Sequence, residues 1–186
     1  MGTKFENAPL AGVVVCLPDI FPDSRGFFTE SYQAKRYFDG GVKSVFVQDN
    51  RSRSVKNVLR GLHYQLHKPQ AKLVECLEGA IWDVAVDIRV GSPTFKQWFG
   101  IELSAENRKQ LYIPQGFAHG FCVLSAECLI SYKCSYLFEP MDDRGILWND
   151  PAIAVSWPVA DPILSHKDTI RKSFAELTDV DLPRFS

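Results

Sequence analysis

Ile81-Trp-Asp-Val-Ala-Val-Asp-Ile88 decides the fold class. Trp82, Val84, Val86 and Ile88 alternate with Asp83, Ala85 and Asp87. Successive side chains of a strand point to opposite faces, so the segment reads as a β-strand buried on one side. Working outward, short apolar or alternating runs fall at 13–17, 27–30, 44–54, 58–65, 72–77, 97–103, 110–113, 119–124 and 127–136, with 80–89 around the quoted stretch. Gly, Pro, Asp and Asn punctuate them, as between many short strands. Helical signals are brief: 31–39 allows two turns, and 165–177 predicts a C-terminal helix. Many strands with few helices define an all-β chain, a sandwich or jelly-roll barrel with short peripheral helices.

The 186 residues suffice for one well-buried domain spanning 1–186, with a barrel core over about 10–158 and a helical segment over about 160–180. Basic and acidic residues nearly cancel, 21 against 22, so no polyanion-binding field follows and nucleic acid is not an expected partner. Cys16, Cys76, Cys122, Cys128 and Cys134 are odd in number and form no CxxC pair. They read as reduced core cysteines of a cytoplasmic protein. The N-terminal stretch lacks a basic segment followed by a long apolar run, so no signal peptide is expected, and no apolar stretch is long enough to span a bilayer.

A small barrel converges its inward residues on one cavity, so polar residues on strand-like runs are the candidates for chemistry. Val58-Leu-Arg-Gly-Leu-His-Tyr-Gln65 holds Arg60 and His63 at opposite strand parity. Both face one pocket only if the strand bulges, and Gly61 is the place for it. Lys72 opens an apolar run: it either reaches solvent from a strand end or aims a cation at a developing oxyanion. Tyr132 shares a face with Cys128, Ile130 and Cys134, so its hydroxyl points into an apolar interior and needs either a backbone partner or a catalytic task. His119 starts a strand after the Pro-Gln-Gly turn at 114–116, and Asp168 lies far along the chain from His63. Arg25 in a turn, Phe28 beside it, and the face formed by Phe46, Gln48, Asn50 and Ser52 supply an arginine, an aromatic and an amide pair. Those types suit a base plus a diphosphate, or else make a polar sheet face.

Taken together, Arg25-Gly-Phe-Phe28, Phe46-Val-Gln-Asp-Asn50, Val58 to Gln65, Pro69-Gln-Ala-Lys72-Leu-Val74, Asp83-Val-Ala-Val-Asp87, Gly91-Ser-Pro-Thr94, Leu103-Ser-Ala-Glu-Asn107, Ile113-Pro-Gln-Gly-Phe-Ala-His-Gly-Phe121, Tyr132-Lys-Cys134, Trp148-Asn-Asp-Pro151 and Leu164-Ser-His-Lys-Asp168 resemble, in order and spacing, the dTDP-4-dehydrorhamnose 3,5-epimerase family. The resemblance spans about residues 8 to 170. It implies a cupin-type jelly roll, a homodimer whose early segment helps complete the partner's site, and a dTDP-4-keto-6-deoxy sugar as substrate. It implies His63 as general base, Asp168 as its orienting carboxylate, Lys72 as enolate stabiliser and Tyr132 as general acid. Arg60, Asn50, Gln48, Arg25, Phe28 and Glu30 would hold the nucleotide diphosphate, and His119 would line the sugar site. Phe138 stands where family members usually carry tyrosine or tryptophan. Proton removal and return leave the oxidation state unchanged, so the resemblance implies no cofactor and no metal.

The residue types agree with that chemistry. Imidazole, with an ordinary pKa of ~6.5, suits removal of a proton acidified by a neighbouring ketone. A carboxylate on its other nitrogen fixes the tautomer. Within the family, the competing expectations are a single-carbon (C3 or C5) epimerase and a 3,4-ketoisomerase. Outside it stand a metal-dependent cupin using His63, His67, Glu75 and His119, which lacks the usual close HxH pair, and a sugar-binding jelly roll without catalysis.

Overall fold

The computed structural model describes residues 2–185. Thirteen strands dominate it: β1 Thr3–Asn7, β2 Val14–Pro18, β3 Ile20–Asp23, β4 Gly26–Thr29, β5 Gln48–Val55, β6 Leu59–Gln65, β7 Lys72–Glu78, β8 Ala80–Asp87, β9 Trp98–Ser104, β10 Gln110–Ile113, β11 Phe117–Val123, β12 Glu127–Cys134 and β13 Asp143–Gly145. Two short helices, α1 Ala34–Asp39 and α2 His166–Thr169, lie outside the barrel. A six-stranded sheet runs β1-β2-β10-β7-β12-β5, and a five-stranded sheet runs β13-β6-β11-β8-β9. Their pairings are antiparallel throughout. The two sheets close on each other as a cupin-type jelly roll, and β3 and β4 form a separate hairpin.

The main core fills the space between the sheets. Val74, Cys76, Leu111, Cys128 and Ile130 from one sheet meet Ile81, Ala85, Leu103, Phe121 and Val123 from the other. Strand β8 corrects the expectation of one-sided burial. Val84, Val86 and Ile88 pack outward against Ile146, Ile153, Phe174 and Leu182, while Ile81 and Ala85 face the barrel. The C-terminal coil roofs the outer face, so both faces are dry. The face that the alternation marked as polar is the inner one, and Asp83 is fully buried there.

The C-terminal helix expected over 165–177 does not form. Only α2 and a 3₁₀ turn, Phe174–Glu176, are helical. Between them the chain bridges Ile146 through Lys172, and the Leu147 amide donates to the Lys172 carbonyl at 2.9 Å. Docking to the barrel edge outweighs the weak helical propensity of so short a segment. The sheet also begins earlier than expected: β1 pairs with β2 from Thr3 onward. Its charged, short sequence hides an edge strand.

The bulge expected at Gly61 is present. His119 opposes His63 and Phe121 opposes Arg60, so two residues of β6 face one of β11. Gly61 has φ +145, and a Cβ there would sit 2.6 Å from the Gly120 Cα. Neither the backbone angle nor the close approach tolerates a side chain. Gly61→Ala should therefore destabilise the protein by about 2 kcal/mol or more, read as a shift in urea midpoint, because both penalties fall on one residue.

Candidate active site

A cleft of about 290 Å³ opens at one end of the barrel, lined among others by Gln48, Asn50, His63, Lys72, Tyr132 and Phe138. Cross-strand register explains the convergence. Cys134 of β12 pairs with Gln48 of β5 on one side and Lys72 of β7 on the other. One step inward, Tyr132 lies between Asn50 and Val74. These two rows form one wall. His63 rises from β6 on the facing sheet, so Tyr132 and Lys72 confront it across the cleft. The parity read for Tyr132 holds, since Cys128, Ile130 and Cys134 on its face are all buried.

His63 meets Asp168 across 105 residues of chain, with Nε2 2.5 Å from Oδ1. Asp168 is only 2% exposed. It is presented by α2, whose N-cap Ser165 accepts from the Asp168 amide and donates its hydroxyl to Asp168 Oδ2 at 2.7 Å. Asp168 on Nε2 leaves the other ring nitrogen to carry the lone pair. Burial pulls the His63 pKa below its ordinary value; Asp168 pushes it up, and Lys72 and Arg171 add to the lowering. For Asp168, burial works upward, but the bonds from His63 and Ser165 prevail and hold its carboxyl below the usual range. The imidazole is thus a free base at neutral pH, with an ionised carboxylate behind it.

Burial lowers the Lys72 pKa, opposed by the nearby Cys134 and Asp83. Burial raises the phenol of Tyr132, keeping it a proton donor. His119 pairs with His63 across β11 and β6, is 7% exposed, and contacts Asp83 Oδ1 through Nε2 at 2.8 Å. Burial also lowers its pKa. A second cleft of about 260 Å³ shares His63 and Asp143 with the first and is lined by Arg60, Lys167, Asp168 and Arg171. Arg60 reaches Ser54 Oγ through Nε at 3.2 Å. The bulge thus lets Arg60 and His63 line this second cleft together.

Three candidates lie elsewhere. Arg25 pairs with Asp23 at 2.6 Å on the exposed β3–β4 hairpin, Phe28 is exposed beside Phe21, and Glu30 pairs with Arg36. None of the three lines either cleft, and neither does His119, which was expected to line the sugar site. Conversely, sequence reasoning missed Asp143, Lys167 and Arg171. Asp143 accepts from Lys167, and from Arg171 Nη2 at 3.1 Å, which ties α2 to β13. An acid in a loop beside Asp142 and two cations in a supposed helix gave no signal of this.

The four side chains weighed as metal ligands diverge. His63 turns to Asp168 and His119 to Asp83, while His67 turns to Arg144 and Glu75 accepts from Gln110. Among the described residues, no group of three or more His, Cys, Asp or Glu is placed to hold a metal.

A barrel enzyme that moves protons at a carbon acid is the class this fold and cleft define: a base on one wall, a phenol and an ammonium on the other. The chain belongs to the dTDP-4-dehydrorhamnose 3,5-epimerase family, whose model matches residues 7–176, and so to the isomerases that act on carbohydrates. It is 53% identical over 166 residues to the dTDP-4-dehydrorhamnose 3,5-epimerase of Shigella flexneri, covering 88% of this chain and 92% of that protein. It is 47% identical over 176 residues to the enzyme of the same name from Methanothermobacter thermautotrophicus, covering 93% and 95%. The crystal structure of dTDP-6-deoxy-D-glucose-3,5-epimerase from Legionella pneumophila, in complex with dTDP-4-keto-L-rhamnose, superposes with a TM-score of 0.95 at 48% identity over 99% of both chains.

The His63 environment sets a titration test. In histidine NMR spectra, His63 should titrate below ~6.5. Asp168→Asn removes the one neighbour that raises its pKa, so the midpoint should move lower still. A midpoint that rises in the variant would contradict the assigned pair.

Proposed function

We propose that the chain inverts C3 and C5 of dTDP-4-keto-6-deoxy-D-glucose, giving dTDP-4-keto-L-rhamnose, through two rounds of proton removal and return. The observation that carries this reading is the placement of His63 on one wall of the cleft, with Tyr132 and Lys72 on the other.

The 4-ketone acidifies the hydrogens at C3 and C5. His63 takes one of them; the electron pair left behind forms a C=C bond and moves charge onto O4. Lys72 supplies an ammonium for that oxyanion, in a site where water screens little. Tyr132 donates its phenolic proton to the opposite face of the same carbon, which inverts it. His63 then loses its proton to water and the Tyr132 phenolate regains one, so the second carbon can follow. A lowered imidazole pKa and a raised phenol pKa leave His63 unprotonated and Tyr132 protonated at the start of each round. His119 is held by Asp83 beside the base strand, while Gln48, Asn50 and Arg60 stand ready for the diphosphate. Phe138 offers an aromatic face at the rim for the base.

The reading includes a homodimer. Arg25, Phe28 and Glu30 have no role in their own cleft, and Phe21, Phe27 and Phe28 make an exposed aromatic hairpin suited to reach a partner's opening. Light scattering should then give about twice the 21.0 kDa chain mass. It also includes a cytoplasmic location. All five cysteines are free and buried, as a reducing compartment allows, and among the described residues no helix is long and apolar enough to cross a membrane.

Proton NMR of dTDP-4-keto-6-deoxyglucose with the enzyme in heavy water tests the chemistry. The wild type should exchange the hydrogens at both C3 and C5. His63→Ala should abolish exchange at both, a loss of at least about a hundredfold. Tyr132→Phe should slow epimerisation more than exchange. Wild-type exchange in His63→Ala would remove this histidine from the base role.

A further inference from the structure

The segment 135–139 crosses the rim of the cleft outside any strand or helix. It exposes Tyr136, Leu137 and Phe138. No sheet ladder holds the peptide groups of 136–139. Side-chain amides hold them instead. Gln70 Nε2 donates to the Tyr136 carbonyl at 2.8 Å, and the Phe138 amide donates to Gln48 Oε1 at 2.9 Å. Gln65 makes the remaining links. Its Oε1 accepts from the Glu139 amide at 2.9 Å, and its Nε2 donates to the Leu137 carbonyl at 3.3 Å and the Lys68 carbonyl at 2.7 Å.

Gln65 differs from the other two glutamines in being buried, at 7% exposure. It follows His63 by two places on β6, so both side chains leave the same face of the strand and line the same cleft. Its amide has both ends engaged, on either side of Phe138. Flipping or losing that amide strands a buried donor and acceptor, the costly outcome for a polar group out of water.

We propose that Gln65 is a positioning residue: it pins the segment that carries Phe138 over the cleft, so that the strand bearing the base also sets the aromatic platform for the nucleotide. This rests on the reading of Phe138 as that platform. Gln65 touches no reacting atom; it acts through the peptide groups on either side of Phe138.

Two measurements test it. The first is hydrogen–deuterium exchange of the peptide covering 135–141, with 80–88 in the core as internal control. Gln65→Met, close in volume but without the amide, should speed exchange of the rim peptide by about tenfold and leave the core peptide unchanged. The second is calorimetry of dTDP binding to the wild type, Gln65→Met, Phe138→Ala and the double variant. Gln65→Met should weaken dTDP about tenfold, and the same substitution in the Phe138→Ala background should weaken it no further. Unchanged exchange at 135–141, or fully additive losses of affinity, overturns the proposal. If Phe138→Ala binds dTDP as tightly as the wild type, the platform reading fails, while the exchange experiment still decides whether Gln65 holds the segment. If Gln65→Met does not fold, Gln65→Glu keeps the acceptor for the Glu139 amide and gives up both carbonyl bonds. The same two measurements on it should show faster rim exchange and weaker dTDP binding.

Discussion

Everything at the cleft depends on one contact, the imidazole of His63 against the carboxylate of Asp168. The two residues come from different parts of the architecture. His63 belongs to a strand with neighbours on both sides, while Asp168 sits on four helical residues beyond the barrel. The chain has to be led back to the cleft to make the pair. Bridges at Val58–Ile163 and Ile146–Lys172 flank α2 on either side and set its position along β6 and β13. Asp143 adds an ionic clamp through Lys167 and Arg171. A short helix with one turn of propensity would not hold such a position alone, so its place is dictated by tertiary contacts.

The facing sheets divide the chemical labour. One contributes the imidazole, the other the ammonium and the phenol, on opposite walls of one cleft. Opposed placement is what inversion demands, because a proton leaving one face of a carbon must be replaced from the other. The same enclosure tunes the groups. Desolvation favours neutral imidazole and neutral phenol together, whereas the buried Asp83 and Asp168 supply negative charge close to the cations. The barrel interior is therefore polar at this end and apolar behind it, where Val74, Ile130 and Ala85 take over.

Much of this was legible in the sequence because it follows from local rules. Alternation located β8, strand parity put Tyr132 on the inner face with Cys128 and Ile130, and the opposite parity of Arg60 and His63 demanded a bulge that Gly61 provides. What escaped depends on contacts distant in the chain. The C-terminal segment carries a helical pattern but is drawn into extended pairing with Ile146 and Leu147. The burial of Val84 and Val86 follows from the alternation, but that of the opposite face, where Asp83 and Ala85 enter the barrel, depends on sheet closure that no pattern in β8 announces. At the site, the resemblance supplied the meeting of His63 with Asp168, but neither it nor spacing pointed to Asp143 and Arg171. Arg25, Phe28 and Glu30 matched by motif and yet fold onto or just after a hairpin away from their own cleft.

The bridged C-terminal coil gives the molecule two tiers of cohesion. The sheets are locked by continuous ladders, whereas the stretch from Ile163 to Lys172 is fastened by isolated bridges, a cap and the ion pairs to Asp143. Such a stretch opens with a smaller free energy than the barrel does. Warming should therefore part the carboxylate from its histidine while the jelly roll is still intact, ahead of any loss of β-structure.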